Sequence, residues 1–197
     1  MFKVGLTGNI GSGKTLVCQI FETLGIPVFY ADRVARNLYS EPEVRGQVIE
    51  TFGAGVYSSE GQLIPQNLAR IVFNDKTALQ EINRIIHPGV MRKYLQWLEE
   101  NADYDYILHE AAILFESNLQ HEFDYIIMVT APEKVRLQRV MERDALPESS
   151  VMARMKNQWP EKEKVQKSDF VIINDGIKFL IPQVLEIHNQ LIEKKSE

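Results

Sequence analysis

The segment Gly8-Asn9-Ile10-Gly11-Ser12-Gly13-Lys14-Thr15 constrains this chain more than any other feature. It fits the pattern G-x-x-x-x-G-K-[ST]. An apolar run, Phe2–Thr7, precedes it. An amphipathic stretch follows, Thr15–Leu24, with Val17, Ile20, Phe21 and Leu24 at helical spacing and Gly25 as a stop. A strand, a glycine-rich turn and a helix in that order form an anion cradle. The glycines let backbone N–H groups converge where a side chain would obstruct them, and the helix adds its N-terminal partial charge. Lys14 can then reach the outer phosphates, and Thr15 offers a hydroxyl to Mg²⁺. Gly8, Gly11, Ser12, Gly13, Lys14 and Thr15 are therefore the expected phosphate-binding residues, for nucleoside triphosphates as a class.

The rest of the chain supplies the sheet that such a loop needs. Short apolar runs at Pro27–Tyr30, Asp105–His109, Asp124–Thr130 and Asp169–Asn174 join Phe2–Thr7 as expected strands. They lack clean alternation, which suits a five-stranded parallel sheet buried on both faces. Helical patterns at Glu133–Arg143 and Ile177–Ile192 alternate with them, giving an α/β fold. Two connections are longer than a crossover needs. The first carries helical repeats at Val44/Val48/Ile49/Phe52, Leu68/Ile71/Val72 and Leu79/Ile82/Ile86, with Pro88 expected to break or restart a helix. The second, 144–167, is polar and holds Arg154, Lys156, Lys162, Lys164 and Lys167, the composition of a lid. The expected organisation is a single domain over 1–197. Its core is 1–33, 100–143 and 168–197, with a helical insert at 34–99 and a lid at 144–167.

Composition removes several function classes. With 197 residues and 45% hydrophobic residues, the chain can bury a core without staples. The net charge of -5 gives no reason to expect nucleic acid or a polybasic membrane patch. The only cysteine is Cys18, so no internal disulfide can form and a reducing compartment is expected. The apolar stretch after Met1 is interrupted by Lys3 and Gly5, unlike a signal peptide, and no apolar run reaches membrane-spanning length. A cytoplasmic protein follows as the expectation. Nothing specifies an oligomer, and a monomer is expected. There is no N-K-x-D guanine-reading signature. His109-Glu110 and His121-Glu122 lack the second histidine of a zinc-protease helix.

Ligands of α/β folds sit beyond the carboxyl ends of the strands. Asp32 follows the second strand and could take a proton from an attacking hydroxyl, or cap the helix beginning at Arg33. Glu110 ends the third strand and could hold Mg²⁺ opposite the loop. Glu116 is either another charge at this edge or a helix-starting carboxylate. Arg136, Arg139 and Arg143 share a helix face. Arg139 and Arg143 suit stabilisation of phosphoryl charge, while Arg136 reads as part of a solvated face beside Glu133. Cys18 reads as a small core residue.

These residues together resemble the dephospho-coenzyme A kinase family over about residues 4 to 176. The resemblance rests on Val4-Gly5-Leu6-Thr7 leading into the loop, Leu24-Gly25 through Tyr30-Ala31-Asp32, Ile71-Val72-Phe73, Ile86-His87-Pro88 and Glu110-Ala111-Ala112-Ile113-Leu114-Phe115-Glu116. It continues in Gln138-Arg139 with Arg143, Arg154 with Gln158, and Ser168-Asp169 through Asn174-Asp175-Gly176. The chain departs from the family pattern at Asn9, Tyr30, Ile64-Pro65, Glu110 and Ala112, where the family commonly carries Gly, Asp, Asp-Arg, Asp and Pro.

The resemblance implies a P-loop kinase core, a helical insert for the acceptor and a mobile lid. It implies ATP with Mg²⁺, and phosphorylation of the 3′-hydroxyl of the dephospho-coenzyme A ribose, the last step of coenzyme A synthesis. Asp32 would be the acceptor-side base. Lys14, Arg139 and Arg143 would meet the phosphates, Thr15 and Glu110 the metal, and Asn174 would lie near the adenine. His87 would lie with the acceptor, or serve as a structural residue of the helical insert. Two other readings stay open on the residues alone: a different nucleoside or nucleotide kinase, and a non-catalytic ATP-gated binding protein.

Overall fold

Strands form where apolar residues occupy both faces, and the third shows this best: every residue of Tyr106–Glu110 is buried. The computed structural model describes residues 1–72 and 75–195. Phe73, one of the residues carrying the family resemblance, lies outside them. Internal packing divides the chain into two compact units, one of Met1–Tyr30 with Asn101–Glu197 and one of Ala31–Glu100.

The first unit holds β1 (Phe2–Thr7), β2 (Val28–Tyr30), β3 (Tyr106–Glu110), β4 (Tyr125–Thr130) and β5 (Phe170–Ile173). They form one parallel sheet in the order β2-β3-β1-β4-β5. The chain builds one side of β1 first and then the other. The turn after β1 therefore lies at the point where strand order reverses, the place where open α/β sheets take ligands. The helices α1 (Lys14–Thr23) and α9 (Leu180–Lys195) bury Val17, Cys18 and Phe21 and Val184, Ile187 and Leu191 against β-strand residues such as Leu6, Leu108 and Ile127. Tyr106 shares a 2.8 Å hydrogen bond with His188 of α9.

The start of α9 differs from the sequence expectation. Asp175 Oδ1 accepts from the N–H groups of Ile177 and Lys178, both at 2.9 Å, and the helix begins only at Leu180. That side-chain turn competes with helix formation. Ile177 therefore lies outside the helix and is 84% exposed, while Ile181, within α9, sits on its exposed face.

The second unit comprises α2 (Ala31–Leu38), α3 (Pro42–Phe52), α4 (Pro65–Val72) and α5 (Lys76–Glu100). Leu38, Val44, Val48, Leu68, Ile82 and Ile86 form its core with Val56 and Tyr57. Tyr57 OH donates to Tyr39 O at 3.0 Å. Pro88 does not break α5, which runs unbroken past it. Proline withholds an N–H from the carbonyl four residues back. Here that is Arg84, which like Pro88 is exposed, so water can serve the freed carbonyl. On the same helix Ala78 faces inward and Leu79 outward, one residue off the expected stripe. No helix among the described residues is long and apolar enough to cross a membrane.

Candidate active site

The turn after β1 closes because glycine occupies its tightest positions. Gly13 caps α1 with φ 91°, and a Cβ there would lie 2.1 Å from Asn174 Nδ2. A Cβ on Gly8 would lie 2.4 Å from Val129 O. Ser12 N–H donates to Asn9 O at 3.0 Å, closing the front of the turn. The Leu16 and Val17 N–H groups both donate to Gly13 O, at 3.1 and 3.3 Å, so α1 starts directly at the loop, and a helix N-terminus favours an anion there.

Lys14 folds back over this turn. Its Nζ donates to Gly8 O at 2.9 Å and lies 3.8 Å from Glu110 Oε1. Glu110 is buried at the end of β3, in register with Leu6 of β1 and Tyr30 of β2. From the other side, Asn174 Nδ2 donates to Ser12 O at 2.8 Å. Arg139 reaches from α6 (Glu133–Asp144) to Asn174 O at 3.1 Å and to Gly11 O at 3.5 Å. Lys14, Glu110, Arg139 and Asn174, spread over the whole chain, thus meet at one loop.

Two other arginines of α6 behave differently. Arg136 is buried, not part of a solvated face. Its Nε donates to Ala131 O at 3.0 Å and lies 3.4 Å from Glu161 of α8 (Glu161–Gln166). A carboxylate arriving from 25 residues away is invisible to a helical-face argument. Burial holds the Glu161 carboxyl above its ordinary range, against the pull of Arg136. Arg143 instead forms a two-bond fork on Asp144, at 2.8 and 3.1 Å, and Arg154 of α7 (Glu148–Lys156) shares that carboxylate at 3.2 Å. The Arg143 hydrogen bond holds the Asp144 carboxyl below the usual carboxylate range.

Glu116 starts no helix. It accepts from Trp159 N–H at 2.9 Å and pairs with Lys164 at 2.6 Å. Gln158 accepts from Ile10 N–H at 2.7 Å. Only the pairing of the Arg154 and Gln158 positions in the family resemblance pointed toward this contact. Burial, with Glu110 and Glu22 adding to it, pushes the Cys18 thiol well up, so this thiol is no nucleophile at neutral pH.

The family model for dephospho-CoA kinase matches residues 2–178 of the chain. The chain belongs to the dephospho-CoA kinase family. A relative of that name in Bacteroides fragilis (strain YCH46) is 38% identical over 193 residues, covering 98% of this chain and 94% of its own. Another in Salinibacter ruber is 38% identical over 179 residues, covering 89% of this chain and 90% of its own. A crystal structure of a Thermus thermophilus protein superposes with a TM-score of 0.86 at 29% identity, over 96% of both chains. A dephospho-CoA kinase from Campylobacter jejuni (TM-score 0.69, 23% identity, 98% of both chains) shares the fold. So does a shikimate kinase from Acinetobacter baumannii (TM-score 0.52, 13% identity, 100% of this chain and 96% of that one).

In this member of the dephospho-CoA kinase family, Asp32 and His87 belong to the second unit. Asp32 is the second residue of α2, which begins at Ala31, so it lies in the first turn and is not the cap. There it complements the helix dipole. His87 lies on α5, and both side chains are exposed. Thr15 is exposed at the head of α1. Among the described residues no three acidic, histidine or cysteine side chains form a metal cluster. One hydroxyl and one carboxylate, Thr15 and Glu110, fit Mg²⁺, which takes few protein ligands and keeps water and substrate phosphates as the rest.

Proposed function

We propose that this chain transfers the γ-phosphoryl group of ATP to the 3′-hydroxyl of the dephospho-coenzyme A ribose, giving coenzyme A and ADP. The observation that carries the reading is the convergence of Lys14, Glu110, Arg139 and Asn174 on Gly8–Thr15, in a chain matching this family over residues 2–178. The acceptor oxygen attacks the γ-phosphorus, and the bond to the β–γ bridging oxygen breaks. Asp32 receives the hydroxyl proton. Lys14, Arg139 and Arg143 stabilise charge on the transferring group. Asn174 supports the loop and lies near the adenine. Thr15 and Glu110 would hold Mg²⁺, which neutralises phosphate charge when bound.

Residues 34–99, with His87, receive the acceptor, and residues 144–167 act as a lid that keeps water from competing. The single cysteine supports a reducing, cytoplasmic compartment. ADP release is the test, measured with ATP and Mg²⁺ in the presence and absence of dephospho-coenzyme A, with the product weighed by mass spectrometry. Strong stimulation and a product heavier by one phosphoryl group are expected. Equal ADP release with and without this acceptor would overturn the assignment.

A further inference from the structure

The connection between α7 and α8 threads between two loops of the first unit. Against the phosphate loop, Ile10 N–H donates to Gln158 Oε1 at 2.7 Å, and Asn9 Nδ2 donates to Trp159 O at 3.2 Å. Against the loop after β3, Trp159 N–H donates to Glu116 Oε1 at 2.9 Å, and the Trp159 ring stacks on Phe115 at 6.4 Å and 17°. Gln158 Nε2 lies 3.5 Å from Ala112 O. The amide has one sensible orientation: a flip would set Nε2, a donor, against the Ile10 N–H. Ser12 N–H is also taken up, by Asn9 O. The front half of the loop is thus held by protein acceptors, which leaves ligand binding to the back half.

We infer that Gln158 is a positioning residue for ATP, acting through the backbone of Ile10, with Asn9 as its second tie. With glycine at positions 8, 11 and 13, the loop has more backbone conformations to lose than one without them. Nothing covalent holds its front half in the form that aims the α1 amides at a phosphate. Gln158 provides that constraint from outside the loop. When a binding-competent form is only partly populated, apparent affinity falls by that fraction. Releasing the tie therefore weakens ATP binding and leaves the acceptor site alone.

The test is Gln158→Met, which keeps side-chain length and removes the strong acceptor. Calorimetric titration with ATP, without acceptor, is expected to show a Kd about tenfold higher, the scale of one lost buried hydrogen bond. KM for dephospho-coenzyme A should stay within about twofold. In a Trp97→Phe background Trp159 is the remaining tryptophan, and its emission should shift to the red in the Gln158 variant. An unchanged ATP Kd in the folded variant would overturn the inference. So would a matching rise in both substrates' constants, which indicates general loosening. Should Gln158→Met fail to fold, Asn9→Ala carries the same test: a higher ATP Kd supports the inference, and an unchanged one overturns it. The inference rests on ATP as the loop's ligand. Because binding is read without an acceptor, its outcome is independent of which hydroxyl is phosphorylated.

Discussion

Lys164 Nζ lies 2.6 Å from Glu116 Oε1, and the lysine side chain is 0% exposed. This ion pair ties α8 to the loop after β3, and Glu116 also receives Trp159 N–H. Removing one partner of a buried pair leaves an uncompensated charge, which costs about 3–5 kcal/mol. Glu116→Ala should destabilise the protein by that amount in urea unfolding. The double variant Glu116→Leu with Lys164→Met should recover much of the loss, because no charge remains buried.

His109 sits inside β3 with the rings of Phe29 and Phe123 each 5.2 Å away, and burial pushes its pKa down to about 4. Its unfolded value is near 6.5. Between those limits the unfolded chain binds more protons than the folded one, so stability rises with pH. Acidification from pH 6.5 toward 4 should remove on the order of 3 kcal/mol through this residue. Unfolding free energies measured across that window should fall less steeply in His109→Gln than in the parent.

Gly13 is conformationally and sterically committed. Alanine there would adopt φ 91° and drive its Cβ to 2.1 Å from Asn174 Nδ2, an atom already bonded to Ser12 O. Gly13→Ala should cost about 1–3 kcal/mol of stability, and more than tenfold in ATP affinity. Thermal unfolding and ATP titration read the two effects separately.

Lys14 and Asp32 carry different parts of the proposed transfer. Lys14→Ala removes the ammonium held between Gly8 O and Glu110 and should lower kcat by about 10²–10³. Asp32→Asn keeps the shape but cannot take a proton, and should lower kcat by about 10²–10⁴. Asp32 is exposed, so Asp32→Asn should leave the urea midpoint nearly unchanged, whereas Lys14→Ala leaves the buried Glu110 without its cation and should lower it. Near-normal turnover in Asp32→Asn would remove it as the base.

Much of this was legible locally. An apolar strand, the loop glycines, Lys14 and a helix with its apolar face at Val17 and Phe21 are written in neighbouring residues, because strand and helix periodicities repeat every two and about 3.6 positions. The same reasoning recovered all five strands among the described residues to within two residues at each end. It failed where a distant partner or a competing turn intervened. Arg136 looked solvated until Glu161 met it, and Ile177 fell outside α9 once Asp175 took the N–H groups of Ile177 and Lys178. Pro88 looked like a break, but α5 runs on past it, with Pro88 and Arg84 both exposed.

Sequence alone determined the phosphate loop, the parallel sheet and the family. Tertiary structure decided which side chains brace that loop. Asn174 and Arg139 reach Ser12, Gly11 and each other, and Gln158 reaches Ile10, across 128 residues or more of chain to the loop. No local pattern encodes such pairs. They exist because the strand order brings the ends of β1, β3, β4 and β5 to one edge, where buried polar groups must find partners among whatever loops arrive there.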